Sequence, residues 1–152
     1  MLLNLPIEAI ISDLVATTRD DVLSELAGNV VCRYPELSGP EIVRGLRERE
    51  LLGSTGIGDG VAIPHCKLRD MRSAPLLALG RTLEGVDFNS IDGRKVHLLF
   101  LLLAPDDDAG LHLRILARIS RFLKDPAVRR GLLQADGAVE MHALLLEQER
   151  LF

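Results

Sequence analysis

The sequence predicts an α/β protein built as one domain, residues 1–152, in which helices cover both faces of a mixed β-sheet of about five strands. Three observations carry this expectation. Segments with strand-like and helix-like apolar spacing alternate along the chain, the pattern of a helix-covered sheet. The run Val96-His97-Leu98-Leu99-Phe100-Leu101-Leu102-Leu103 is almost wholly apolar, which suits a strand buried on both faces. Helix starts are marked at Ser38-Gly39-Pro40-Glu41 and Asp125-Pro126, where a capping side chain is followed by a proline whose missing N–H costs nothing. A chain of this length can bury roughly 70% of its unfolded surface, enough for such a core without staples.

Ile10–Leu14 offers a short first strand. A helix is predicted from about Asp20 to Cys32, with Val22, Leu23, Leu26 and Val30 at helical spacing and Thr17 or Thr18 as its cap. The next helix starts at the Ser38 capping box, carries Ile42, Val43, Leu46 and Glu50 on its faces, and ends near Leu52, before Gly53. Strands are expected at Val61–Ile63, Leu76–Leu83 and Val96–Leu103, with Phe88–Gly93 as a turn-rich connection whose Asp92-Gly93 favours a tight hairpin turn. Asp106-Asp107-Asp108 caps a helix over about Ala109–Lys124, whose Leu111, Ile115, Leu116, Ile119, Phe122 and Leu123 form one broad apolar face. A short helix through Gln134 and a last one over Val139–Glu149 complete the chain.

Composition excludes several function classes. The net charge of −4 and pI near 5.5, with no aromatics interleaved among Lys and Arg, argue against a nucleic-acid partner. The start Met1-Leu2-Leu3-Asn4-Leu5-Pro6 lacks the basic region of a leader, and Leu98–Ala104 is far short of the ~20 residues a membrane helix needs. No direct membrane insertion is expected, and cytoplasmic residence is the default. Cys32 and Cys66 form no C-x-x-C pair; Cys32, at a helix end, is read as structural.

Chemistry concentrates in residues 53–67, Gly-Ser-Thr-Gly-Ile-Gly-Asp-Gly-Val-Ala-Ile-Pro-His-Cys-Lys. Gly53, Gly56, Gly58 and Gly60 leave amide N–H groups unshielded, and His65 follows a proline at the end of a β-branched run. An imidazole beside bare amide donors can accept, hold and release an anionic group, phosphoryl first among them. Nucleotide binding is disfavoured. No Gly-Lys-Ser/Thr completes a Walker A loop, and the order helix, glycines, strand reverses that of a dinucleotide fingerprint. The bland alternative is a plain connector with a surface histidine. A second histidine, His112, shifts the balance: it lies three and four residues before Ile115 and Leu116, on the core-facing stripe of its helix. A hydrogen-bonded core histidine is its own alternative.

Here the sequence resembles a known family. "RERELLGSTGIGDGVAIPHCKL" and "LHLRILARISRFLKD" are similar to the two active-site signatures of fructose/mannitol-type enzyme IIA domains of the bacterial sugar phosphotransferase system, and within them most similar to the nitrogen-regulatory enzyme IIA proteins. The resemblance implies that His65 is the phosphorylated histidine, that His112 orients or stabilises the phosphoryl group, and that Arg49 is the active-site arginine. Ser54, Thr55, Gly56 and Gly58 fall in the matching phosphoryl loop. It also implies an HPr-like histidine phosphocarrier as donor and an enzyme IIB or a regulatory target protein as acceptor. No metal ion, nucleotide or other cofactor is implied, because the donor is already activated. One departure stands out: Cys66 occupies the position after Pro-His where the family usually has glycine.

Other residues have weaker claims. His97 is expected to border a buried strand and His142 to be solvated. His65, Cys66 and His112 lack a recognised zinc spacing, and Cys66 with His112 as a thiol–imidazole pair is a minor alternative. Arg114, Arg118 and Arg121 read as a solvated helix face that an acidic partner could also use.

Overall fold

The computed structural model describes residues 5–69, 71 and 74–151, with the side chains of 150 and 151 left aside; the start Met1–Asn4 lies outside the described residues. A 3-10 turn, Ile7–Ala9, leads into β1 (Ile10–Ile11), and two helices follow, α1 (Arg19–Arg33) and α2 (Gly39–Leu51). Then come β2 (Gly56–Gly58), β3 (Val61–Ala62), β4 (His65–Leu68), β5 (Leu76–Val86) and β6 (Val96–Pro105), and finally α3 (Ala109–Leu123), α4 (Pro126–Gln134) and α5 (Ala138–Leu151). The caps are where local chemistry puts them. Thr18, Ser38, Asp108 and Asp125 each accept a backbone N–H in the first turn of α1, α2, α3 and α4.

The sheet has six strands in the order β1-β5-β6-β3-β2, with β4 also paired to β6, one more than the count of about five expected. It is mixed: β5 runs antiparallel to β6, whereas β1, β3 and β4 pair in parallel. Strand β6 is the spine. Leu98, Phe100 and Leu102 point into a core shared with Ile115, Ile119, Phe122, Leu132 and Met141 of α3, α4 and α5. Leu99, Leu101 and Leu103 point into a second core with Val22, Leu26, Ile42 and Leu46 of α1 and α2. Strict alternation therefore explains why β6 is apolar at nearly every position.

Three details of the strand expectations change. Strand β3 stops at Ala62, and β4 resumes at His65 against the same neighbour. Pro64 lies between them; it cannot donate to a ladder, though its carbonyl still accepts from Leu102 N–H at 3.0 Å. The tight hairpin sits at Asp59-Gly60, joining β2 to β3 with φ of 56° and 77°, the positive pair that an Asp-Gly turn supplies. Asp92-Gly93 instead closes a turn from Ser90 inside the longer β5–β6 connection. Among the described residues no helix is long and apolar enough to cross a membrane.

Candidate functional site

The pleat of β4 decides which way its residues face. His65 is in register with Leu102 and Cys66 with Leu103, so His65 shares the α3 face and Cys66 the α2 face. His65 Nδ1 lies 2.7 Å from the Ile63 carbonyl. A carbonyl only accepts, so Nδ1 carries the proton and Nε2 keeps its lone pair. That lone pair faces Arg49, whose Nε–H donates to it at 3.3 Å, while Nη1 donates to the Gly53 carbonyl at 2.8 Å. Burial is the main cause that lowers the His65 pKa; the Ile63 bond opposes it and the Arg49 charge adds to it. The ring is thus neutral at pH 7.

From the far side of the sheet crossover, α3 brings His112. Its N-terminus is capped by Asp108, and the first turn places His112 on the buried stripe with Ile115 and Ile119. Only 5% of His112 is exposed. The two imidazoles stand 5.3 Å apart between centroids, tilted by 58°. Burial first, then the neighbouring His65 and Lys67, push the His112 pKa down to about 4. Its Nδ1 is buried with no hydrogen-bond partner among the described residues, which leaves a ring nitrogen in reserve beside His65.

The glycine loop is held by a residue that the sequence marks only as part of a helix face. Glu50 is buried, and its carboxylate accepts from the Thr55 amide at 3.1 Å and from the Thr55 hydroxyl. The Thr55 carbonyl then takes the Ile63 N–H at 3.0 Å, so one carboxylate ties the end of α2 to the segment leading into His65. Its signal was the apolar stripe Ile42, Leu46, Glu50, where a carboxylate at a core position must find partners. The Ser54 hydroxyl donates to the Phe88 carbonyl and accepts from Gly56 N–H at 3.0 Å. Both hydroxyls are therefore spent on the loop itself. Gly56 is needed because a Cβ there would fall 2.1 Å from Ser90 Oγ, and Gly58 because its φ is +95°.

The structure brings His65, His112 and Arg49 together, and places Ser54, Thr55, Gly56 and Gly58 as the scaffold of the adjoining loop. Cys66 is directed away from them. Its Sγ packs at Gly45 of α2, and burial pushes its thiol up to about 12, which opposes the thiol–imidazole alternative. Cys32, read as structural, is a free and exposed cysteine on α1. His142, expected in solvent, is half-buried. His97 lies near the start of β6 with Nδ1 2.9 Å from the Thr82 carbonyl. Of the arginines read as a solvated face, Arg118 is half-buried.

Beside the six-stranded mixed sheet, two imidazoles and a guanidinium are gathered in an arrangement that can hold an anionic group. The family model described as phosphoenolpyruvate-dependent sugar phosphotransferase system, EIIA 2, matches residues 4–148, and the chain belongs to that family. A nitrogen regulatory protein of Pseudomonas aeruginosa is 38% identical over 126 residues, covering 83% of this chain and 81% of that one. The crystal structure of the nitrogen regulatory protein IIA-Ntr from Neisseria meningitidis superposes with a TM-score of 0.85 at 33% identity, over 92% of this chain and 94% of that one. The mannitol enzyme IIA of Escherichia coli, solved in complex with phosphorylated enzyme IIB, shares the fold with a TM-score of 0.80 at 21% identity, over 95% and 98% of the two chains.

Proposed function

We propose that His65 Nε2 takes a phosphoryl group from the phosphohistidine of an HPr-like carrier and passes it on, in the cytoplasm, as one 152-residue domain. The observation that carries this reading is the locked tautomer: Nδ1–H is held by Ile63, and the unprotonated Nε2 accepts from Arg49 Nε–H. The lone pair attacks phosphorus in line as the donor's P–N bond breaks, and the departing pair returns to the donor imidazole. The new N–P bond leaves the His65 ring positively polarised, and the Nδ1–H bond to Ile63 strengthens with that charge. Arg49 must let go of Nε2 as the bond forms, and its guanidinium then meets the equatorial oxygens, where charge develops. His112, neutral at pH 7, supports the same oxygens from α3.

Nitrogen-regulatory relatives at 38% identity favour a regulatory role for the phosphorylated state. A sugar-transport role, passing the group to an enzyme IIB, is favoured by the complex that the mannitol enzyme IIA forms. Incubation with phosphoenolpyruvate, the general phosphotransferase enzymes and the HPr-like carrier should give one acid-labile phosphoryl group per chain, with the phosphorus signal of an Nε2 adduct. His65→Ala should abolish it; stoichiometric labelling of that variant would overturn the reading. Transfer onward to an enzyme IIB separates the two roles.

A further inference from the structure

The resting site is short of positive charge for the group it is proposed to carry. A phosphoryl group brings about −2 at pH 7. Facing it are two neutral imidazoles, His65 from β4 and His112 from α3, and one cation, Arg49 from α2. Glu50, beside Arg49 on α2, offsets part of that cation while holding Thr55. Strand β4 carries a second cation on the same face. His65 and Lys67 are two positions apart, in register with Leu102 and Ala104, so the pleat starts both side chains from one side of the strand, ~6.6 Å apart along it. Lys67, near the strand's end, also lines a cavity with Glu41, Arg44, Gly45 and Glu48 of α2. Lys67 is exposed, and among the described residues its ammonium makes no hydrogen bond or ion pair. It is also close enough to His112 to act on that ring's charge.

We propose that Lys67 is a phosphoryl-binding residue: held by no hydrogen bond or ion pair among the described residues, its ammonium closes onto the phosphoryl oxygens once His65 carries the group. Its four-carbon stem spans the two-residue gap, and an ammonium acts as a point charge that needs no fixed approach, unlike the forked guanidinium of Arg49. Lys67 therefore completes the neutralisation that Arg49 begins. The proposal rests on His65 as the acceptor, and the test separates the two.

Full-length protein with Lys67→Gln, Lys67→Arg or no change is equilibrated with the phosphorylated carrier, and the phosphorylated fraction and transfer rate are measured. Lys67→Gln should shift the equilibrium toward the carrier by about fivefold, and Lys67→Arg should stay within about twofold of the unchanged protein. In the unphosphorylated protein, Lys67→Gln should raise the His112 titration midpoint followed by NMR, a response that a packing role would not produce. If the unchanged protein is phosphorylated on His65 but Lys67→Gln alters neither the equilibrium nor the His112 midpoint, the Lys67 assignment falls alone. If His65→Ala still takes the group, the underlying reading falls instead.

Discussion

His65 and Cys66 are neighbours on one strand, yet they live in different molecules as far as chemistry is concerned. His65 turns to α3, meets Ile63, Arg49 and His112, and keeps a lone pair available. Cys66 turns to α2, meets Gly45, and is held as an unreactive thiol with its pKa near 12. The pleat alone separates them. The reacting side is held by hydrogen bonds to groups from distant parts of the chain, and the packing side by van der Waals contact. Each side should therefore fail in its own way.

The largest failure is expected at Glu50. Glu50→Ala would leave the Thr55 amide and hydroxyl without their buried acceptor, a cost of about 3 kcal/mol. Denaturant unfolding measures it, and phosphoryl acceptance should fall with it as the loop releases Ile63. Glu50→Gln keeps an acceptor oxygen and should lose less. A Glu50→Ala protein as stable as the parent would show that packing, not hydrogen bonding, holds the reacting side.

A smaller effect is expected from acid. The His112 pKa is about 4 in the folded protein and ~6.5 in an unfolded chain. Between these values the unfolded state binds the extra proton, so stability is complete above pH ~6.5 and declines toward pH 4. The loss should approach about 2 kcal/mol. His65, lowered in the same direction, adds to the slope. Thermal unfolding from pH 7.5 to 4 should show it, and His112→Gln should flatten it. An unchanged slope in that variant would assign the acid sensitivity elsewhere.

These two sides were unequally legible in the sequence. Helix caps at Thr18, Ser38, Asp108 and Asp125 could be read because each acts within three residues. The two-sided burial of β6 followed from its unbroken apolar run. Helix phase put His112 on the core-facing stripe of its helix, and the family resemblance supplied its pairing with His65, the roles of both and that of Arg49. Strand β4 was not legible. Its four residues follow a proline and mix an imidazole, a thiol and an ammonium, so no alternation announces them. The Ser54 and Thr55 hydroxyls were open to either use, because their partners depend on tertiary contact: Phe88 lies 34 residues beyond Ser54. The Asp-Gly signal was sound, but it occurs three times, at Asp59-Gly60, Asp92-Gly93 and Asp136-Gly137, and only the sheet decides that Asp59-Gly60 makes the hairpin.

The packing side gives the smallest effect and the sharpest control. A Cβ on Gly45 would sit 3.0 Å from Cys66 Sγ and 3.4 Å from its Cβ. Gly45→Ala gains roughly 1 kcal/mol of helix propensity in the interior of α2, but overpacking against the sulfur takes back about 1–2 kcal/mol. The single variant should therefore be near neutral or slightly destabilised. In a Cys66→Ala background the sulfur is gone, and the same Gly45→Ala change should stabilise by about 1 kcal/mol. The coupling between the two positions, about 1–2 kcal/mol by double-mutant cycle, measures how tightly α2 closes over a cysteine where the resembling family usually has glycine. Phosphoryl acceptance by His65 should be unchanged in all three variants, because the contact lies on the opposite face of β4. A loss of acceptance in Gly45→Ala alone would mean that packing at Cys66 reaches the imidazole, either through the strand or through Arg49, one turn beyond Gly45 on α2.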